Sequence, residues 1–232
     1  MPRGRAPGYD TQREQILARA AELFARQGYT ATTMNQVALA CGVSKPSLYH
    51  YVRDKYQLLV EIAEDHVGRL KQLAAQAHAQ PLAPEARVRA MIASFLDVYA
   101  QSQAAHRVLT EDVKFLDPAD SRRILDVQRE VVAAFASAIA DVRPELRAAE
   151  LHRPVTMLLF GMMNWMFTWL QPGGKLTHAA LAPVVADLFF GGVNAVQLPP
   201  PQSVVAASVP RKRVRQACDL PRSQQSTHGD TE

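Results

Sequence analysis

Between Thr33 and Lys55 the chain runs Thr-Met-Asn-Gln-Val-Ala-Leu-Ala-Cys-Gly-Val-Ser-Lys-Pro-Ser-Leu-Tyr-His-Tyr-Val-Arg-Asp-Lys, and this stretch restricts the fold more than any other. Thr33 with Gln36 three residues later is a capping-box pattern that opens a short helix. Val37, Ala38 and Cys41 share one face of that helix and pack inward. Gly42 ends it, supplying the left-handed backbone that turns a chain sharply. Ser44 can cap a further helix running to about Val52, with Pro46 in its first turn, where the missing N–H costs nothing. Val43 and Leu48 fasten this helix to its neighbours. Upstream, Ile16, Leu17, Ala20, Leu23 and Phe24 recur at amphipathic helical spacing, and Gly28 closes that element. Two helices joined by a sharp turn and braced by a third form a helix-turn-helix.

Such a motif presents Lys45, Ser47, Tyr49 and His50 on or beside a surface that can enter a DNA major groove. The second helix of the pair reads base edges from its N-terminal half while the first spans the backbone. Thr33 can offer its hydroxyl and its helix N-terminus to a phosphate. The bland alternatives are that Tyr49 and Tyr51 only cover the small core, and that His50, Lys45 and Lys55 are ordinary surface groups. Cys41, among apolar neighbours and without a partner, reads as a packed small residue. Charge agrees with a polyanion-binding end: residues 1–60 hold eight Lys or Arg against four Asp or Glu, and residues 61–198 thirteen against fifteen.

Beyond the motif every periodic segment reads as helix. Asp54 starts a long one through Leu58, Leu59, Ile62, Val67 and Leu70, fading before Pro81. Pro84 begins the next, with Val88, Met91, Ile92, Phe95, Leu96 and Tyr99 on its apolar side. Shorter and longer helices follow over Arg107–Leu116 and Ser121–Val142, then Glu145–Leu170 with Pro154 as a candidate kink, then Thr177–Val196 after the turn at Pro172–Gly174. No strand alternation persists. The expected fold is all-α with about nine helices: a helix-turn-helix domain over 9–60, a helical body over 61–198, and a flexible tail over 199–232. Three prolines open that tail, and Arg211, Lys212, Arg213 and Arg215 give it a basic cluster that is either plain solvated chain or an auxiliary DNA contact.

Several classes are disfavoured. The basic Met1–Gly8 lacks the apolar run of a secretory signal, and Val155–Leu170 is interrupted by Thr156, Asn164 and Thr168 and falls short of the roughly 30 Å hydrocarbon core. A cytoplasmic location without a membrane is expected, and two unrelated cysteines fit a reducing compartment. The seven histidines are scattered, and there is no metal spacing, phosphate loop or nucleophile motif, so neither an enzyme nor a metal or other cofactor is expected.

Over Tyr9 to about Leu59 the chain closely resembles the tetracycline-repressor (TetR/AcrR) family of bacterial regulators. The resemblance rests on the Ala-x-Leu-Phe-x-x-x-Gly-Tyr-x-x-Thr-Thr run of Ala21 to Thr33, then Val37-Ala38, Gly42-Val43-Ser44, Leu48-Tyr49, Tyr51, Lys55 and Leu58-Leu59. It departs at Pro46, where a smaller residue is usual, and at Val52, where Phe is commoner. The resemblance implies that Thr33, Lys45, Tyr49, His50 and Lys55 contact DNA, mostly at phosphates, with Ser47 near base edges. It further implies a homodimer formed through the last two helices, reading a palindromic double-stranded operator, and a ligand held among the middle helices.

The residues of the body are compatible with this. Leu181, Val184, Val185, Leu188 and Gly192 share one face of the last helix, and the preceding helix is apolar nearly all round. Pocket candidates are Met91, Phe95, Tyr99, Phe115, Phe135, Phe160, Met163 and Asn164, with Val98, Met157 and Phe167 beside them; for any one of them ordinary core packing is the commoner role. Their character suits a small hydrophobic ligand. The Gly161-Met-Met-Asn-Trp165 segment, with Trp169 beyond it, is similar to members that sense acyl-CoA thioesters, in which case Arg122, Arg123 and Arg129 would meet the CoA phosphates. The leading expectation is a repressor released by ligand; an architectural DNA-binding protein without an effector is the alternative.

Overall fold

The computed structural model describes residues 9–171 and 173–196. The basic cluster from Arg211, the whole tail from Pro199 and the Met1–Gly8 segment lie outside the described residues, as does Pro172. Within them the chain forms ten α-helices, two 3-10 turns and no strand.

α1 (Tyr9–Gln27), α2 (Met34–Ala40) and α3 (Lys45–Leu48) build the N-terminal unit. Its punctuation is the one expected. Thr33 Oγ1 accepts the Gln36 N–H, and the Gln36 side chain accepts the Thr33 N–H at 2.9 Å, closing the capping box. At the other end of α2 the Gly42 N–H reaches the Leu39 carbonyl and the Val43 N–H reaches that of Ala38, with Gly42 at φ +65°. That pair of reversed bonds satisfies two terminal carbonyls and needs a left-handed residue between them. Ser44 caps α3 through the Ser47 N–H. α3 is a single turn, continued to Val52 by tighter bonds such as His50 N–H to the Ser47 carbonyl.

α4 (Lys55–Ala79) is 25 residues long and joins the two main cores, with Ala63 and Val67 in a small cluster between them in sequence. Its first turns close the N-terminal core, where Leu58, Leu59 and Ile62 meet Ile16, Phe24, Val37 and Leu48. Leu70, Ala74 and Ala77 join the larger core with α5 (Pro84–Gln101), α7 (Pro118–Val142), α9 (His152–Asn164) and α10 (His178–Ala195). Phe135 is central there, edge-on to Phe95 with ring centres 4.7 Å apart and 5.0 Å from Phe160. α6 (Gln103–Glu111) crosses between the two and sends Val108 into the N-terminal core.

Three boundaries differ from the sequence-based expectation. The helix expected at Arg107–Leu116 lies earlier, because Gln103, Ala104 and Ala105 lack the large apolar residues that would mark its start; a 3-10 turn over Val113–Phe115 follows it. α7 opens three residues before Ser121, since Asp117 caps it on the Ala119 and Asp120 N–H groups and Pro118 takes the first position. The segment Glu145–Leu170 is three pieces and not one helix, which raises the count from nine to ten. α8 (Glu145–Ala148) ends with Glu150 left-handed at φ +57° and the Leu151 N–H on the Leu146 carbonyl. Pro154 therefore sits in the first turn of α9 and kinks nothing. A 3-10 turn over Trp165–Thr168 finishes the segment.

α9 buries Val155, Leu159, Phe160 and Met163 but leaves Met157, Leu158 and Met162 exposed. α10 buries Val185, Phe189 and Val193 and exposes Val184 and Leu188. α10 is also the one described helix long and apolar enough to cross a membrane by length and composition.

Candidate DNA-binding face and ligand cavity

The N-terminal unit holds α3 and its flanks outward. Lys45 and His50 are exposed, Tyr49 is 45% exposed, and Ser47 is half-buried. Thr33 is exposed at the head of α2, with its hydroxyl engaged by Gln36, accepting that residue's N–H and donating to its side-chain oxygen at 3.0 Å. Tyr51 behaves differently: it stacks on Tyr9 at 4.9 Å, covering the core, while the Tyr9 hydroxyl reaches the His50 carbonyl at 3.4 Å. Cys41 is half-buried in the same core, and burial pushes its thiol up.

Lys55 is placed against the protein. Its ammonium donates to the carbonyls of Tyr29, Thr30 and Thr32 at 2.9, 3.2 and 2.9 Å and lies 4.5 Å from the centre of the Tyr29 ring. An ammonium has three protons, and each has a carbonyl here. The side chain ties the loop between α1 and α2 to the start of α4.

In the body, helices α4 to α7 and α9 enclose a cavity of about 440 Å³. Val67, Leu70, Leu109, Val131 and Phe160 wall it, with Tyr99 and His106 alongside. Arg129, Arg153, Leu125 and Met157 line it from exposed positions and mark its mouth. Of the residues expected from sequence, Tyr99 and Phe160 line this space. Asn164 stands behind, accepting the Tyr99 hydroxyl at 2.8 Å. Met91, Phe95, Phe135 and Met163 are buried within the core. Phe115 lies elsewhere, 38% exposed and packed against Tyr29 at 5.4 Å. Among the arginines considered for phosphate contact, Arg129 lines the cavity and Arg123 is engaged by Glu64 and Asp120.

Sequence reasoning missed two histidines. His66 of α4 and His106 of α6 are buried, with His66 Nε2 3.3 Å from His106 Nδ1. His106 stacks on Tyr99 with ring centres 3.8 Å apart. Burial pushes His66 down to about 3, with His106 and Arg69 adding to the effect; burial likewise pushes His106 down to about 4, opposed by the nearby Asn164 carbonyl. Both rings are neutral near pH 7. Burial also pushes the Tyr99 hydroxyl up. The available signal was weak: His66 and His106 each fall on the apolar side of an amphipathic helix, where a histidine is usually just packed.

Comparison with known proteins agrees with this arrangement. Residues 16–62 match the family model for bacterial regulatory proteins of the tetR family, and residues 81–193 match that for the tetracyclin repressor-like C-terminal domain. A TetR-family transcriptional regulator from Bordetella parapertussis 12822 is 34% identical, covering 80% of this chain and 97% of its own, with a TM-score of 0.73. The HTH-type transcriptional activator FasR of Mycolicibacterium smegmatis is 27% identical over 84% of this chain and 89% of its own length. AibR, in complex with isovaleryl coenzyme A and operator DNA, is 22% identical, covers 76% of this chain and 97% of its own, and superposes with a TM-score of 0.66. With both models matched and a relative this similar along most of its length, the chain belongs to the TetR family and is a DNA-binding transcription regulator, not an enzyme.

Proposed function

We propose that the protein is a repressor that binds a palindromic operator as a homodimer and leaves it when a small hydrophobic or acyl-CoA-type ligand enters the cavity. The single observation that carries this is the double membership of α4. One unbroken helix packs Leu58 and Leu59 into the DNA-binding core and lines the cavity with Val67 and Leu70. A ligand that displaces Val67 or Leu70 tilts the helix and moves the N-terminal unit with it, changing the spacing of two recognition helices. AibR, which shares the fold, supports the ligand class through its complex with isovaleryl coenzyme A and operator DNA.

In this reading residues 9–60 form the DNA-binding domain and 61–198 the ligand-binding and dimerisation domain. Thr33, Lys45, Tyr49 and His50 meet the phosphates and Ser47 approaches base edges. Lys55 reaches a phosphate only by giving up a carbonyl. Dimerisation uses α9 and α10, whose exposed Met157, Leu158, Val184 and Leu188 would be covered by a second copy.

FasR is named an activator, which favours a second sign of regulation on the same site. The test is a gel shift on the intergenic DNA upstream of the protein's own gene, titrated with acyl-CoA thioesters and with free hydrophobic compounds. Release of the retarded complex at micromolar thioester supports the proposal. Tighter binding on thioester addition points to the activator. DNA binding that no compound alters overturns the ligand part and leaves an architectural protein.

A further inference from the structure

Two long helices reach from the DNA-binding unit to the cavity. α4 is one of them. α7 is the other: its later turns give the cavity Leu125, Val131 and Val132, and its first turn is bonded to the head of α4. The Tyr56 hydroxyl donates to Asp120 Oδ2 at 2.8 Å and accepts the Asp117 N–H at 2.9 Å, so it is held in both directions. Asp120 Oδ1 meets Arg123 Nη1 at 2.5 Å. The same guanidinium returns to α4, placing Nη2 and Nε 2.6 and 3.2 Å from Glu64 Oε1. Tyr56, Asp120, Arg123 and Glu64 thus form a polar clasp that begins and ends on α4, about two turns apart.

The clasp grips the part of α4 that belongs to the DNA-binding core. Between its two ends on that helix lie Leu58, Leu59 and Ile62, all buried in that core. Just before α7, Leu116 packs against the same core and Phe115 rests on Tyr29, whose carbonyl Lys55 holds. Beside the clasp, α4 and α7 leave a groove of about 270 Å³ bordered by Gly68, Ile124 and Val127. The helices therefore have room to shift past one another there. Hydrogen bonds and ion pairs of this kind are directional, so a shift in the first turn of α7 carries the head of α4 with it. Exposed ion pairs add little to stability; what this one contributes is position.

We infer that α7 is a second connection from the cavity to the DNA-binding unit. An occupant that pushes Leu125, Val131 or Val132 outward displaces the first turn of α7, and the Tyr56–Asp120–Arg123–Glu64 clasp hands that displacement to the head of α4. This rests on the proposed ligand-responsive function and states the route by which occupancy is read. Tyr56 and Glu64 are positioning residues in it, acting on DNA only through α4. A further tie between the same helices, Lys71 to Glu130, lies beyond Val67 along α4 and has no part in the transfer.

The test measures coupling in the full-length protein. Fluorescence anisotropy gives the affinity for the upstream intergenic DNA with and without saturating isovaleryl, octanoyl or dodecanoyl coenzyme A. Calorimetry gives the affinity of each thioester for the DNA-free protein. The ratio of the two DNA affinities is the coupling, and in Tyr56→Phe and in Glu64→Ala it is expected to fall about tenfold. Thioester affinity, and DNA affinity without thioester, should each stay within about threefold of the unaltered protein. Lys71→Met should keep the full coupling. Full coupling in either clasp variant overturns the inference and leaves the proposed function standing. So does an equal loss in Lys71→Met, or a loss that follows from weaker thioester binding. If no thioester changes the DNA affinity of the unaltered protein, the proposed ligand response falls and the inference with it. Tyr56→Phe removes one oxygen at a half-buried position; should Glu64→Ala not fold, Tyr56→Phe decides alone on the same readings.

Discussion

The DNA-binding unit and the cavity are bridged by α4 but built under different rules. α2, α3 and the turn between them are specified by residues within reach of one another: Thr33 with Gln36, Gly42 with Leu39, Ser44 with Ser47. The cavity draws Val67, Tyr99, His106, Val131 and Phe160 from five helices, and none of them marks it locally. A site written in local chemistry keeps its shape in many sequence contexts. A site assembled from distant side chains changes with each of them, so the body is where one regulator comes to differ from another in what it detects.

Phe135→Ala in the body core should be the most damaging of the substitutions considered. Removing a ring packed on Phe95 and Phe160 should cost about 3–5 kcal/mol. Chemical denaturation measures it, and cavity binding should fail before DNA binding does. Acid is the next lever. His66 and His106 are held below the ordinary histidine value, at about 3 and about 4, so the unfolded chain binds protons there that the folded chain does not. Their contribution to stability is complete above about pH 6.5 and declines as pH falls toward 4, at up to about 1.4 kcal/mol per pH unit for each ring. Urea melts between pH 7 and 4.5 should show a steep loss that flattens in the His66→Leu, His106→Phe double variant.

Two lysines ten residues apart in the N-terminal unit should respond differently to the same substitution. Lys55→Met should lower thermal stability by about 2 kcal/mol, because three carbonyls lose a charged donor. Lys45→Met should leave the melting temperature alone and weaken operator binding about tenfold, read by fluorescence anisotropy. Equal behaviour of the two variants would show that Lys55 is free to reach DNA.

What could be read from the sequence follows the same division. The three N-terminal helices, their caps and the exposure of Lys45, Tyr49 and His50 were legible because capping and glycine turns are short-range chemistry. The start of α6 was not, since Gln103-Ala-Ala carries no apolar periodicity. Nor was the break at Glu150, a residue with no intrinsic preference for a left-handed backbone, imposed there by the corner between α8 and α9. The cavity was legible only as a composition: Tyr99 and Phe160 were indistinguishable in sequence from Phe95 and Phe135, which pack beneath them. His106 looked like any packed histidine, and only its contact with His66 and its stacking on Tyr99 in three dimensions set it apart.

The internal use of Lys55 has a counterpart in the ion atmosphere of DNA. Each phosphate neutralised by a protein cation sheds condensed counterions, and the steepness of affinity against salt counts those events. Of the cations described between residues 9 and 60, Arg13 binds Glu61, Arg19 binds Glu22, Arg53 pairs with Asp54, and Lys55 is held by backbone carbonyls. Arg26 and Lys45 are the two for which no such pairing occurs among the described residues. Operator binding by this part of the chain should thus release few ions and weaken gently with salt, leaving selection to uncharged contacts at the groove.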